Sequence, residues 1–158
     1  MSRAHTSRMQ GNFPSWFTPQ GIDLSLYPID GVLRQALSSN EEEFRSACTI
    51  LKSMSSSGRV EAGVFLLGLM GRHPENYARL TIIADALEWH RYPETVHAFA
   101  SELRRVQGSS STRSYLRRII RALAIFPPEL TEETIQILCS DPLVGSRFRK
   151  HLREISNG

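Results

Sequence analysis

Cysteine and lysine are both scarce in this chain, with two of each among 158 residues: Cys48 and Cys139, Lys52 and Lys150. Each cysteine sits among apolar neighbours on an expected helix, so two buried thiols are expected rather than a disulfide. Long apolar runs are lacking too. The run from Val64 to Leu67 is closed by Gly68, far short of the roughly 20 residues that span a bilayer. No apolar stretch near Met1 could serve as a signal peptide. These absences point to a soluble, cytoplasmic protein without a membrane contact.

Catalytic signatures are missing as well. There is no Gly-rich phosphate loop, no nucleophile elbow, no His-Glu-x-x-His and no Cys-x-x-Cys. The histidines His5, His73, His90, His97 and His151 are scattered. His90 and His97 can share a helix face two turns apart, but two ligands without a third do not make a metal site. Glu132 and Glu133 read as the start of a helix, not as an acid-base pair. No catalytic residue, metal or cofactor is expected, and the chain reads as a non-enzyme.

What is present is a rhythm. Amphipathic stretches recur about every 18 residues between Asn40 and Ile155, separated by Pro, Gly or Ser breaks. Ala86-Leu87 recurs as Ala122-Leu123, 36 residues on, and Glu94-Thr95-Val96 as Glu133-Thr134-Ile135, 39 residues on. A period in this range signals stacked helix pairs. No stretch sustains strand alternation, so the expected class is all-α with about eight short antiparallel helices.

The first helix is expected over 29–38. Asn40 or Ser39 caps the second, with Glu41, Glu42 and Glu43 in its first turn. The third, over 59–72, is apolar nearly all round and is expected at the centre of the core. Its Gly63, Gly68 and Gly71 cost helix stability unless a neighbour approaches closely. Pro74 and Pro93 are expected to open the fourth and fifth helices, and Ser111 or Thr112 to cap the sixth. Thr131 marks the start of the seventh, and the last helix covers 144–155. Residues 1–21 form an extension with no acid before Asp23. Its first ten residues are expected to be loose, and Phe13, Trp16 and Phe17 to fold over the open end of the stack. Residues 22–158 form the helical repeat domain.

The string Arg59-Val60-Glu61-Ala62-Gly63-Val64-Phe65-Leu66-Leu67-Gly68-Leu69-Met70-Gly71 resembles the second helix of a HEAT-like repeat. Asp85-Ala86-Leu87 and Arg121-Ala122-Leu123 look like weaker copies. The resemblance covers roughly residues 40–140 and implies a short α-solenoid, a right-handed superhelix of antiparallel pairs. It also implies a binding scaffold, of the kind seen in bacterial adaptor, accessory and immunity proteins.

The charge balance suggests where such a scaffold binds. The net charge is +3, made from 17 arginines and two lysines against 16 acids, and arginine grips carboxylate and phosphate with a planar fork. A GC-rich genome also favours arginine. Arg104, Arg105, Arg113, Arg117, Arg118 and Arg121 face a single acid, Glu102, in their segment. Arg113, Arg117 and Arg121 are spaced by four and line one ridge of the sixth helix, with no acid beside them at i,i+4. Arg147, Arg149, Lys150 and Arg153 form a second basic group. Glu129, Glu132, Glu133 and Asp141 lie between the two groups and could neutralise them across the stack. Trp89 and Tyr92 add an aromatic turn that could anchor a partner or pack on Pro93. The expected partner is a protein with an acidic surface. The alternative is nucleic acid, because HEAT-like DNA glycosylases hold duplex on a basic face.

Overall fold

The computed structural model describes residues 13–158. A two-residue hairpin comes first, β1 (Phe17–Thr18) against β2 (Gly21–Ile22), with Phe17 opposite Ile22. Eight α-helices follow among the described residues: α1 (Asp30–Ala36), α2 (Glu41–Ser56), α3 (Val60–Met70), α4 (Tyr77–Ala86), α5 (Pro93–Arg105), α6 (Arg113–Ile125), α7 (Pro128–Cys139) and α8 (Ser146–Asn157). A 3-10 turn, Leu87–Trp89, extends α4. The fold class is all-α, as expected.

Local chemistry sets the helix ends. The Asn40 side chain accepts a hydrogen bond from the Glu43 N–H at 3.0 Å and caps α2. Pro93 opens α5, where an N–H would have no partner within the helix and the missing donor of proline costs nothing. Two expected starts are corrected, and a third start stands where expected, with Thr112 in the position before Arg113, but without the expected cap bond. Pro74 does not open α4, because Asn76 caps it by accepting from the Arg79 N–H. Thr131 does not start α7, because Pro128 already fills its first position; Thr131 is buried one turn in. Thr112 makes no cap bond to α6. Its hydroxyl donates to the Gln107 carbonyl and accepts from the Ser109 N–H, which closes the α5–α6 loop.

The helices pack in two interleaved sets. Each pair α1–α2, α3–α4, α5–α6 and α7–α8 is in contact or bridged by the 3-10 turn, α2 touches α3, and contacts also skip one helix: α2–α4, α4–α6, α6–α8 and α5–α7. One continuous core results, with Phe44, Leu51, Met54, Leu66, Leu80, Ile83, Phe99, Tyr115 and Ile119 fully buried. Cys48 and Cys139 are buried free thiols, and burial pushes the Cys48 thiol up to about 12.

The third helix departs from the central position expected of it. Val60 and Val64 are exposed, while Ala62, Gly63, Leu66, Leu69 and Met70 face inward. A helix with neighbours on one side only leaves its outer apolar residues in water. Gly63 has the close neighbour expected of it, but that neighbour is the His90 ring and not a helix backbone. Gly68 has open space around it, so its cost is uncompensated.

Two arginines fasten the N-terminal half, and the sequence pattern pointed to neither. Arg79 is buried, donating to the carbonyls of Ser38 (3.1 Å) and Ser39 (3.2 Å), pairing with Glu41 at 2.8 Å and lying 4.2 Å above the Phe44 ring. It ties the α1–α2 connection to the first turn of α2. Arg59 Nη1 donates to the carbonyls of Leu24, Ser25 and Tyr27 and so pins the segment before α1. Phe13 and Phe17 stack at 5.1 Å with both rings exposed, and Trp16 meets Tyr27 edge-on. It is Leu24, Tyr27 and Ile29 that pack on the core. The expected looseness of the first ten residues concerns a stretch outside the described residues.

Candidate functional site

The six candidate arginines separate into two groups once acids are placed. Arg104 of α5 pairs with Asp141 beyond α7 at 2.6 Å. Arg105 forks onto Glu102, one turn back on α5, at 2.6 and 2.8 Å. The same carboxylate accepts a 2.6 Å bond from the buried Tyr115 hydroxyl of α6. Burial raises the pKa of Glu102, but its bonds with Arg105 and Tyr115 outweigh that and hold it below the usual carboxylate range.

Arg118 is neutralised across the helices. Lys52 of α2 lies 3.1 Å from Asp85 and 3.2 Å from Glu88; Arg118 of α6 pairs with Asp85 and reaches Glu88 at 3.8 Å. Two cations and two carboxylates thus join α2, α4, the 3-10 turn and α6. Of the acids expected to neutralise the ridge, only Asp141 holds an arginine, and it holds Arg104. Glu129, Glu132 and Glu133 make no ion pair within 4.0 Å among the described residues.

Arg113, Arg117 and Arg121 form the other group. All three are exposed, and none has a carboxylate within 4.0 Å among the described residues. Arg117, Arg118 and Arg121 border an open groove of about 560 Å³ between α4, α6 and α8. Ile120, Ala124 and Ile155 supply its apolar surface, and Ser114, Thr81 and His151 complete it. The Thr81 hydroxyl already donates to the Tyr77 carbonyl at 2.7 Å, so it adds little polarity.

Arg113 sits apart from this groove. It borders a second hollow of about 270 Å³ with Ser109, Ser146, Arg147 and Phe148. The starts of α6 and α8 therefore meet at one hollow, and their later turns meet at the groove. The two helices run in the same direction. Arg113, Arg117 and Arg121 on α6 face Arg147, His151 and Ile155 on α8, each set spaced by four. The sequence shows the α6 ridge but not its partner ridge on α8, although the same four-residue spacing is legible there.

The aromatic turn lies elsewhere. Trp89 and Tyr92 are both exposed, and neither borders the groove. Trp89 carries the Arg91 guanidinium 4.8 Å above its ring. His90 and His97 do not share a helix face: His90 is buried where the 3-10 turn ends, and His97 is exposed on α5. Among the described residues no three His, Cys, Asp or Glu side chains gather as metal ligands, and no helix is long and apolar enough to cross a membrane.

Comparison of the chain with protein-family models, with curated proteins and with solved structures returns no match to any of the three.

Proposed function

We propose that this chain is a non-enzymatic binding module, a short right-handed stack of HEAT-like helix pairs that offers its α4–α6–α8 groove to an acidic protein surface. The observation that carries this is the contrast among the arginines. Arg104, Arg105 and Arg118 are paired with acids of the chain, whereas Arg117 and Arg121 stand exposed at a groove with no carboxylate within 4.0 Å among the described residues. An uncompensated pair of guanidinium forks is suited to carboxylates supplied from outside. Contacts within the pairs α1–α2, α3–α4, α5–α6 and α7–α8, and along the series α2–α4–α6–α8, are those of stacked pairs, and they support the HEAT-like reading. Two free, buried thiols suit a cytoplasmic setting.

The test is affinity capture from source cells with the native chain and with Arg117→Glu/Arg121→Glu, each with and without nuclease. The module reading expects a stoichiometric protein that survives nuclease and disappears with the double variant. A protein captured equally by both forms removes the groove from the interface.

Nucleic acid is the second reading, favoured by Arg113 and Arg147 converging on the neighbouring hollow in line with Arg117. It expects recovered nucleic acid and an affinity that falls steeply with salt.

A further inference from the structure

The proposed partner can be specified further, on the reading that Arg117 and Arg121 are its contacts. A phosphate backbone is matched by donors along a polar track. The α4–α6–α8 groove has instead a basic rim and an apolar floor: Arg117, Arg121 and His151 stand beside Ile120, Ala124 and Ile155. Ala124 and Ile155 also border the next hollow, where Phe126, Pro128 and Ile135 continue the apolar surface. The trough therefore grades from Arg113 and Arg147 at one end to a more apolar hollow at the other, where Glu132 and Ser156 are its polar rim. Arg117 and Arg121 are one helical turn apart, about 6 Å along the axis.

We infer that the groove binds an acidic amphipathic helical segment of a partner protein. Two of its carboxylates, spaced by three or four residues, meet Arg117 and Arg121. A large apolar side chain one or two turns further along seats on Ala124 and Ile155. This is helix-in-groove recognition with the charge complementarity setting the direction of the segment.

The chain carries one segment of this composition itself, because Glu129, Glu133 and Ile137 are exposed and spaced by four on α7. That ridge does not border the groove, so a second copy would have to dock groove to ridge, a heterologous contact that tends to leave assembly open-ended. A foreign segment is the favoured occupant.

The experiment is selection of displayed random 15-residue peptides on the full chain, followed by affinity measurement of synthetic winners. Two variants at exposed positions are compared, Arg117→Glu/Arg121→Glu and Ala124→Arg, with thermal melting to show that both stay folded. Expected are winners with two acids three or four apart and a large apolar residue nearby. Their affinity falls at least tenfold in each variant. Ala124→Arg is decisive because it adds positive charge while filling the floor. An anchored segment weakens, whereas a purely electrostatic ligand, with a 20-nucleotide single strand as probe, tightens. Winners that need the arginines but ignore Ala124→Arg overturn the amphipathic segment and leave the acidic-partner reading standing. Winners indifferent to both variants, or no enrichment, overturn both. Sedimentation that shows self-association lost on Glu129→Lys/Glu133→Lys also overturns the foreign segment.

Discussion

The imidazole of His90 occupies the space that a side chain at position 63 would need. A Cβ placed on Gly63 falls 2.1 Å from His90 Nδ1 and 2.2 Å from its Cγ. Because Cγ is the stem of the ring, the whole side chain would have to move, and His90 is buried. Gly63→Ala gains about 1 kcal/mol of helix propensity and loses more than that to overpacking. The expected net loss is about 1–2 kcal/mol in urea unfolding. Adding His90→Ala should recover part of it, since two residues in contact do not act additively. Equal stability of Gly63→Ala and the parent chain would show that the ring has room to yield.

Acid sensitivity should begin with histidine. Burial lowers the pKa of His90, with Glu94 opposing. His73 is also lowered, first by burial and then by Arg79 and Arg72. Both groups favour the neutral form in the folded state. Their contribution is therefore fully present above the ordinary value of 6.5 and is lost as pH falls through the lower folded values. The lowered carboxylates Glu41, Glu61, Glu102 and Asp141 act in a separate window, giving up their contribution below their ordinary values of 4.5 for the glutamates and 3.8 for Asp141. Stability should be level from pH 8 to 7 and decline below 6.5, by at most about 1.4 kcal/mol per pH unit for each histidine. Urea unfolding at pH 7, 6 and 5 checks this. An unchanged slope in His73→Asn/His90→Asn would assign the decline to other groups.

The helices were legible in the sequence because burial follows a helical period. Phe44, Ala47, Cys48, Leu51 and Met54 face inward at steps of three and four, as their spacing indicates. The Asn40 cap and the Pro93 start were legible for the same local reason. Pro74 and Thr131 misled because each is a good start residue within three residues of a better one, Asn76 and Pro128. The arginine ridge could be read from its four-residue spacing. Its separation into paired and unpaired members could not, since Arg118 is neutralised by Asp85 and Glu88, residues 33 and 30 positions away in sequence. Arg79 stayed hidden because a single arginine in an apolar stretch carries no periodic signal. Only the packing of α4 on α2 brings it to the open carbonyls of Ser38 and Ser39 in the α1–α2 connection.

Tyr115 and Glu102 should be coupled. The buried phenol donates at 2.6 Å to a half-buried carboxylate that also takes the Arg105 fork. Burial first, and then Glu102, push the Tyr115 phenol well above its ordinary range. Tyr115→Phe keeps the ring packing and removes the donor, so the expected loss is about 1.5 kcal/mol, that of a hydrogen bond to a charged group. Glu102 should then titrate closer to the ordinary carboxylate value, because one of the bonds that lowers it has gone. Adding Glu102→Gln to Tyr115→Phe should cost less than the two single losses summed. Strict additivity would mean that the two groups do not share an energetic bond.

The paired and unpaired arginines of α6 should respond oppositely to charge reversal. Arg118 holds Asp85 and Glu88 from a position with its side chain 16% exposed. Arg118→Glu would set three carboxylates around Lys52. Coulomb energy at an effective dielectric near 20 makes such neighbours repel, and partial exposure of Asp85 screens the effect. The expected loss is about 1–2 kcal/mol in low salt, shrinking as salt is added. Arg117 and Arg121 have no carboxylate within 4.0 Å among the described residues and are exposed. Reversing them removes no ion pair, and although the two new carboxylates repel each other as the guanidiniums did, each gains a cation one turn back, Arg113 and Arg118. Arg117→Glu/Arg121→Glu should therefore leave stability within about 0.5 kcal/mol of the parent or slightly above it. Urea unfolding of both variants at 20 and 300 mM salt separates the two roles. If the double variant is destabilised as much as Arg118→Glu, the ridge belongs to the scaffold. If it is as stable as the parent, Arg117 and Arg121 are retained for something other than folding.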